Sequence, residues 1–276
     1  MICQPFEYSA PATLAEALGL LVHEGAKPLA GGMSLIPMMK FRMAAPGQLI
    51  DIGRLQELNY IRKADGHLHI GAAVTHEDVL RSPEIRAFCP LLAEVAGNIG
   101  DIQVRNRGTI GGSAAHADPA ADYPAAFFAL EAQFKLVSAT GQRTLNVQDF
   151  FIDMLTSAIE PGELVTEIIV PIESPEAGIS YQKCVHPASG YAVVGVAVRV
   201  GKFFVRVGVT GVAGKAYRAT STEAHFLETR NAREAAAHVA DGVDASSDIH
   251  ASATYRKHLA SVYCQRAFTE ALSRQK

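Results

Sequence analysis

Ala30-Gly31-Gly32-Met33-Ser34 and Thr109-Ile110-Gly111-Gly112-Ser113 repeat one local pattern at two distant places in the chain. Each is a glycine pair that follows an apolar stretch and leads into a hydroxyl side chain. Glycine lets the main chain turn tightly and bring its N–H groups against a ligand with no Cβ in the way. A single such turn is ordinary. Two can close on one diphosphate from opposite sides, so a bound dinucleotide is the first expectation.

Working outward, the N-terminal half mixes helices and strands without strict alternation. Thr13 and Glu16 form a capping box for a helix that Leu14, Leu18 and Leu21 extend toward Glu24, with Gly25 as its stop. A short strand through Pro28-Leu29 delivers the first glycine pair. Residues 49–52 and 67–70 read as strands by their β-branched and alternating residues. Thr75 with Asp78 caps a further helix to Leu80, and residues 90–96 form another that ends at Gly97. After the second glycine pair, Asp122 is expected to cap an apolar helix reaching Leu130, with Pro124 in its first turn. Residues 134–137 and 164–170 read as strands. Pro171 to Gly178, with two prolines and two glutamates, is the linker candidate. Beyond it, residues 192–200 and 203–209 are Val-rich strands joined at Gly201-Lys202, with helices over 221–226 and 255–272. The expected class is α+β, with an N-terminal domain over 1–175 and a smaller α+β domain over 176–276.

Composition narrows the function. The chain has 276 residues, 49% of them hydrophobic, enough for real cores. A formal net charge of −3 leaves no basic footprint for nucleic acid. Only 19% of residues are charged, below the roughly 25% usual for soluble domains, which fits either a surface partly covered by partner subunits or an Ala- and Gly-rich soluble protein. Cys3, Cys89, Cys184 and Cys264 are isolated, so no zinc site or iron–sulfur cluster is expected on this polypeptide. There is no basic and apolar leader at the N-terminus, and no uncharged stretch nears the roughly 18–20 residues that span a bilayer. The expected location is the cytoplasm.

Several chemistries lack their motifs. No G-x-G-x-x-G follows a strand and opens a helix. Gly208 to Lys215 has the wrong glycine spacing for a phosphate-binding loop, and Ala216 stands where a magnesium-binding hydroxyl belongs. His116 and Asp118 have no third metal ligand at convincing spacing. Ser34 and Ser113 have no identifiable base, and there is no nucleophile elbow. A flavin dinucleotide accounts for more residues. The glycine pairs would meet its pyrophosphate, with hydroxyls from Ser34, Thr109 and Ser113, while Asp118 and Asp122 could accept hydrogen bonds from ribityl or ribose. Helix capping is an alternative role for the two aspartates. Arg105 and Arg107 would order the second turn or offset phosphate charge.

Four segments carry a resemblance: Ala30 to Lys40, Leu49 to Ile52, Gln103 to Ser113, and His116 to Pro124. Together with Glu160 to Leu164 and Tyr181-x-Lys183, they resemble the FAD-binding medium subunit of molybdenum hydroxylases, the family of xanthine dehydrogenase and aerobic carbon monoxide dehydrogenase. The resemblance implies an FAD-binding domain of the vanillyl-alcohol-oxidase (PCMH) type with two α/β subdomains, then a smaller domain of the CO dehydrogenase flavoprotein C-terminal type. It implies noncovalent FAD here, with molybdopterin on a large partner subunit and two [2Fe–2S] clusters on a small one. The assembly would be a dimer of heterotrimers, in which this chain conducts electrons to an external acceptor and has no catalytic residue or metal of its own. Ala30, Gly31, Gly32, Met33, Ser34 and Leu35, with Thr109, Ile110, Gly111, Gly112 and Ser113, would cradle the FAD diphosphate. Asp118 and Asp122 match the family's acidic positions. Leu164 would approach the flavin pyrimidine edge through its main chain, Lys183 would lie near that edge, and Tyr191 matches an aromatic near the ring. Met33 stands where many relatives have histidine or glutamine, and Ser113 where many have asparagine. The alternatives are a stand-alone flavin oxidase of the vanillyl-alcohol-oxidase fold, and a binding module without flavin.

Overall fold

The computed structural model describes residues 2–276. The chain first lays down β1 (Glu7–Ser9), α1 (Leu14–Leu20), β2 (Ala26–Leu29), α2 (Leu35–Lys40) and β3 (Gln48–Asp51). The strands form a parallel sheet in the order β1-β3-β2, and Ala17, Leu18 and Leu21 pack on its Ile50 and Ile52. Thr13 caps α1 as its sequence requires. The helix stops at Leu20, short of Glu24, because Val22, His23 and Glu24 are all exposed and offer no face to bury.

The next segment comprises β4 (Ile61–Ala64), β5 (His67–Gly71), α3 (His76–Arg81), α4 (Pro83–Phe88), α5 (Pro90–Gly97), α6 (Ile102–Arg105), α7 (Ile110–His116) and α8 (Tyr123–Leu130). It continues with β6 (Gln133–Val137), β7 (Gln142–Asn146), α9 (Val147–Phe150), a small hairpin of β8 (Phe151–Asp153) and β9 (Thr156–Ser157), and β10 (Leu164–Pro171). Here the sheet is antiparallel, in the order β4-β5-β10-β6-β7. Leu68, Ile70, Phe134, Leu136 and Ile168 form one core with the surrounding helices.

The last segment adds β11 (Gly178–Val185), β12 (Ala192–Val200), β13 (Val205–Thr210), β14 (Tyr217–Arg218), α10 (Thr220–Thr229), α11 (Ala232–Ala237) and α12 (Ala253–Arg274). Its four strands pair antiparallel in sequence order. The Val-rich face of β12 and β13 meets Phe226, Cys264, Ala267 and Phe268 from the closing helices. The β12–β13 turn is longer than the two-residue hairpin expected at Gly201-Lys202. Val200 pairs with Val205, the Gly201 N–H bonds Phe204 O at 2.9 Å, and the Phe204 ring occupies the space beside Gly201. No helix among the described residues is long and apolar enough to cross a membrane.

One helix joins the two larger units. Every residue of α8 is buried, because the antiparallel sheet's core lies on one side and β12 and β13 lie on the other. A helix apolar all round requires such a double cover. Gly208 makes the approach possible: a Cβ there would sit 1.9 Å from the Ala125 carbonyl oxygen. At the other end of α8, Arg199 donates to the Ala129 carbonyl at 2.9 Å, supplying a partner for a C-terminal helix carbonyl. Arg199 is itself paired with buried Glu173, donating from Nη2 at 3.0 Å. The loop between β10 and β11, read as a linker from its prolines and glutamates, is therefore pinned to the fold. Gly208→Ala should push α8 off the sheet and destabilise the chain by about 1–3 kcal/mol. Gly141, with nothing within 4 Å of an added Cβ, is the control. Urea midpoints of the two alanine variants check this, and equal midpoints would refute the close packing.

Candidate functional site

The first glycine pair meets the Arg107–Gly108 loop that leads into the second, and the two pairs have different local structures. Gly32 adopts a left-handed φ of +72°, and the chain then enters α2 with Ser34 at the cap position. Gly31 turns onto the second segment so closely that a Cβ would lie 2.0 Å from the Arg107 carbonyl oxygen and 2.7 Å from Gly108 Cα. The second pair, expected as a turn, lies inside the first turn of α7. Thr109 caps that helix, accepting from the Gly112 N–H at 3.0 Å. Gly111 is required by contact, since its Cβ would fall 2.4 Å from Ala72 Cβ.

The main-chain donors divide accordingly. Ile110 N–H bonds Val74 O and Gly111 N–H bonds Ala72 O, each at 3.0 Å, so the second segment spends these donors on the fold. Among the described residues, the N–H groups of Gly31, Gly32, Met33, Ser34 and Leu35 donate to no group of the chain. An open row of N–H groups beside glycine backbone is suited to an anion. Gly112 is exposed, and the hydroxyls of Ser34 and Ser113 bond no other described residue. Met33 is exposed. The two arginines do different work. Arg105 holds the loop through Glu77 at 3.0 Å and Ile99 O at 3.2 Å, while Arg107 contributes its carbonyl to the contact with Gly31.

A second cluster gathers where α7 passes into α8. The Pro119–Ala121 loop is bolted to the C-terminal sheet: Thr210 Oγ1 donates to Pro119 O and Ala121 O at 2.7 and 2.8 Å. Asp118 forms a local turn, accepting from the Ala120 N–H at 2.8 Å. Asp122 occupies the cap position of α8 but makes no capping bond, contrary to its sequence reading. Its carboxylate turns instead to β11, where Tyr181 OH donates to Oδ1 at 2.6 Å and Lys183 Nζ lies 2.8 Å away. Lys183 also donates to Asn98 O at 2.9 Å, and its side chain is 2% exposed. Alternation along β11 puts positions 181 and 183 on one face, which is why both reach Asp122.

Burial raises the Asp122 carboxyl above its ordinary range, while Lys183 and Tyr181 oppose that rise. The Tyr191 hydroxyl is raised by burial and by the Asp118 and Asp122 carboxylates, so its ring belongs to the same cluster although part of it faces solvent. Leu164 stands apart. Its side chain is buried with Ala17, Leu18 and Ile50 at the joint between the parallel and antiparallel sheets, and its main chain lies opposite Val137 at the start of β10. Sequence reasoning assigned no role to Asn98, to the Tyr181 hydroxyl or to His76. The Tyr181-x-Lys183 spacing was the available signal for the second; a main-chain carbonyl such as that of Asn98 leaves none.

The chain matches two family models: "FAD binding domain in molybdopterin dehydrogenase" over residues 4–173, and "CO dehydrogenase flavoprotein C-terminal domain" over residues 179–271. It is 39% identical to the carbon monoxide dehydrogenase medium chain of Hydrogenophaga pseudoflava, covering 99% of each chain. It is 36% identical to the glyceraldehyde dehydrogenase medium chain of Sulfolobus acidocaldarius, covering 96% of this chain and 98% of that one. Among solved structures, carbon monoxide dehydrogenase from H. pseudoflava superposes with a TM-score of 0.94 at 39% identity, covering all of both chains. Quinoline 2-oxidoreductase from Pseudomonas putida 86 follows with a TM-score of 0.93 at 30% identity, again covering all of both chains.

His76 links this site to pH. Its N–H bonds Gly108 O at 2.9 Å, its ring packs on Tyr123, and its buried Nδ1 has no hydrogen-bond partner among the described residues. Burial, helped by Arg105, lowers its pKa from 6.5 to about 4. The unfolded chain therefore takes up this proton at higher pH than the folded one. The contribution of His76 to stability is full above pH 6.5 and falls toward pH 4, by about 3 kcal/mol at roughly 1.4 kcal/mol per unit. His76→Phe should flatten the decline in thermal stability across that window, and a slope equal to wild type would refute the assignment.

Proposed function

The chain belongs to the FAD-binding medium subunits of molybdenum hydroxylases, and we propose that it serves as the electron-transfer chain of a heteromeric enzyme of that kind. In this reading it takes electrons from the [2Fe–2S] clusters of a small partner subunit and passes them to an external acceptor. Substrate would be oxidised at molybdopterin on a large subunit, within a dimer of heterotrimers in the cytoplasm. The observation that carries the reading is the junction of the first glycine pair with the loop leading into the second, where an open row of N–H groups lies against the Arg107–Gly108 backbone. FAD, when bound, supplies a centre that accepts electrons and releases them one or two at a time.

The chain's own residues would bind and orient that group. Gly31 to Leu35 would donate N–H groups to its diphosphate, joined by Ser34 and Ser113 hydroxyls, with Ala30 and Met33 completing the wall. Thr109, Ile110 and Gly111 would act by holding α7 against β5 and its following turn, and Gly112 by presenting backbone without a side chain. Asp118 would meet the ribityl or ribose hydroxyls. Asp122, Lys183, Tyr191 and the Leu164 main chain would surround the ring. Lys183, ion-paired with Asp122, would set the local charge near it, an electrostatic influence on reduction that involves no acid–base step. We place the division between the FAD-binding and C-terminal domains near residue 175, between β10 and β11, in line with the two matched ranges.

The full-length coverage of relatives named as medium chains favours a subunit over a stand-alone flavin oxidase. Purification from the native host should yield a yellow chain with noncovalent FAD, together with molybdenum and iron in two further polypeptides. A lone flavoprotein oxidising its own substrate would overturn the subunit role. For the cradle, Gly112→Asp and Gly32→Asp should each give folded protein with most of its flavin lost, because a carboxylate would face the diphosphate. Visible absorbance against circular dichroism measures this; full flavin occupancy in both variants would refute the diphosphate placement.

A further inference from the structure

Tyr181 is a buried hydroxyl that the proposed flavin contacts do not use. Its side chain fills the space above Gly195, which lies opposite Lys183 in the β11–β12 register. A Cβ at Gly195 would fall 2.4 Å from the Tyr181 oxygen. The strand thus keeps a glycine where the ring must reach past it to Asp122. Four groups surround that carboxylate: Tyr181 OH and Lys183 Nζ donate to it, the Asn98 carbonyl holds the other side of Lys183, and the Asp118 carboxylate lies close enough to oppose its ionisation. Tyr181 is anchored at its other end too, since its N–H bonds Glu94 Oε1 at 2.8 Å. The hydroxyl is held at a fixed point over the carboxylate.

We propose that Tyr181 is a positioning residue whose hydroxyl keeps Asp122 ionised against Lys183, so that this buried pair is neutral overall and holds the potential of the adjacent flavin down. The proposal rests on the FAD reading above. Its physical basis is that a buried carboxylate needs hydrogen bonds as well as a countercharge to stay ionised. Without the Tyr181 donor, the Asp122 carboxyl rises further, a larger share of it takes a proton, and the Lys183 cation is less compensated. Positive charge near an electron acceptor stabilises the form that has gained electrons, so the flavin becomes easier to reduce. Tyr181 itself is 3% exposed and turned into the core, so it acts through Asp122.

The test is the flavin midpoint potential, followed by flavin absorbance in the intact complex. Tyr181→Phe should shift it to more positive values with FAD still bound. Gly195→Ala, which retains the hydroxyl but displaces it, should shift it the same way. Asp122→Asn should reproduce the shift, and Tyr181→Phe added to that background should add nothing, because Tyr181 acts through Asp122. A purely structural tyrosine would lower thermal stability and leave the potential alone. Unshifted potentials in both Tyr181→Phe and Gly195→Ala, or shifts of Tyr181→Phe and Asp122→Asn that simply add, overturn the inference. Loss of flavin from a folded Tyr181→Phe chain would also overturn it, making the residue one of binding. A wild-type complex without FAD would instead remove the functional reading beneath it.

Discussion

The double burial of α8 is the constraint from which the rest of the structure follows. An eight-residue helix with no polar face cannot rest on a surface, so it must be covered from both sides. The antiparallel sheet covers one side, and the C-terminal sheet covers the other at the Gly208–Ala125 approach. The two larger units therefore share a core element. Arg199 and Glu173 extend this joint, with a guanidinium that satisfies both a helix carbonyl and a buried carboxylate. Breaking such a buried pair on one side typically costs about 3–5 kcal/mol, because the remaining charge has no water to turn to.

The same helix sets the electrostatics of the site. Its first turn begins at Asp122, where a free aspartate would ordinarily cap the helix N–H groups. Packing against β11 gives the carboxylate stronger partners in Lys183 and Tyr181, and capping is forgone. The cluster that would surround a flavin ring is thus assembled across the seam between the two units. The glycine junction, by contrast, is built between the parallel-sheet lobe and α7. The proposed ligand would have one end in each of these environments, an open row of N–H groups and a buried, charge-paired cluster.

Much of the local structure was legible in the chain. Thr13, Thr75 and the Val-rich strands announced their elements because capping and alternation are local physics that neighbouring residues settle among themselves. The short helices were harder. Helix α7 hides two glycines in its first turn, and its stability comes from Thr109 and from contacts with Ala72 and Val74, residues far back in the sequence. The Glu173 loop looked like a linker because its partner, Arg199, lies on another strand.

By itself the sequence singled out the residues proposed to contact a dinucleotide: the two glycine pairs, the acidic positions after them, and the strand motif ending at Lys183. It also carried the family, since long motifs in a fixed order survive without reference to their geometry. What tertiary structure alone decided was how these residues divide the work. One glycine segment keeps its N–H groups open while the other spends them on the fold. Asp122 serves a lysine in place of its own helix, and a tyrosine with no announced role becomes its second partner. Hydrogen-bond donors and buried charges are shared among whichever groups packing brings within about 3 Å, and sequence spacing carries no record of that choice.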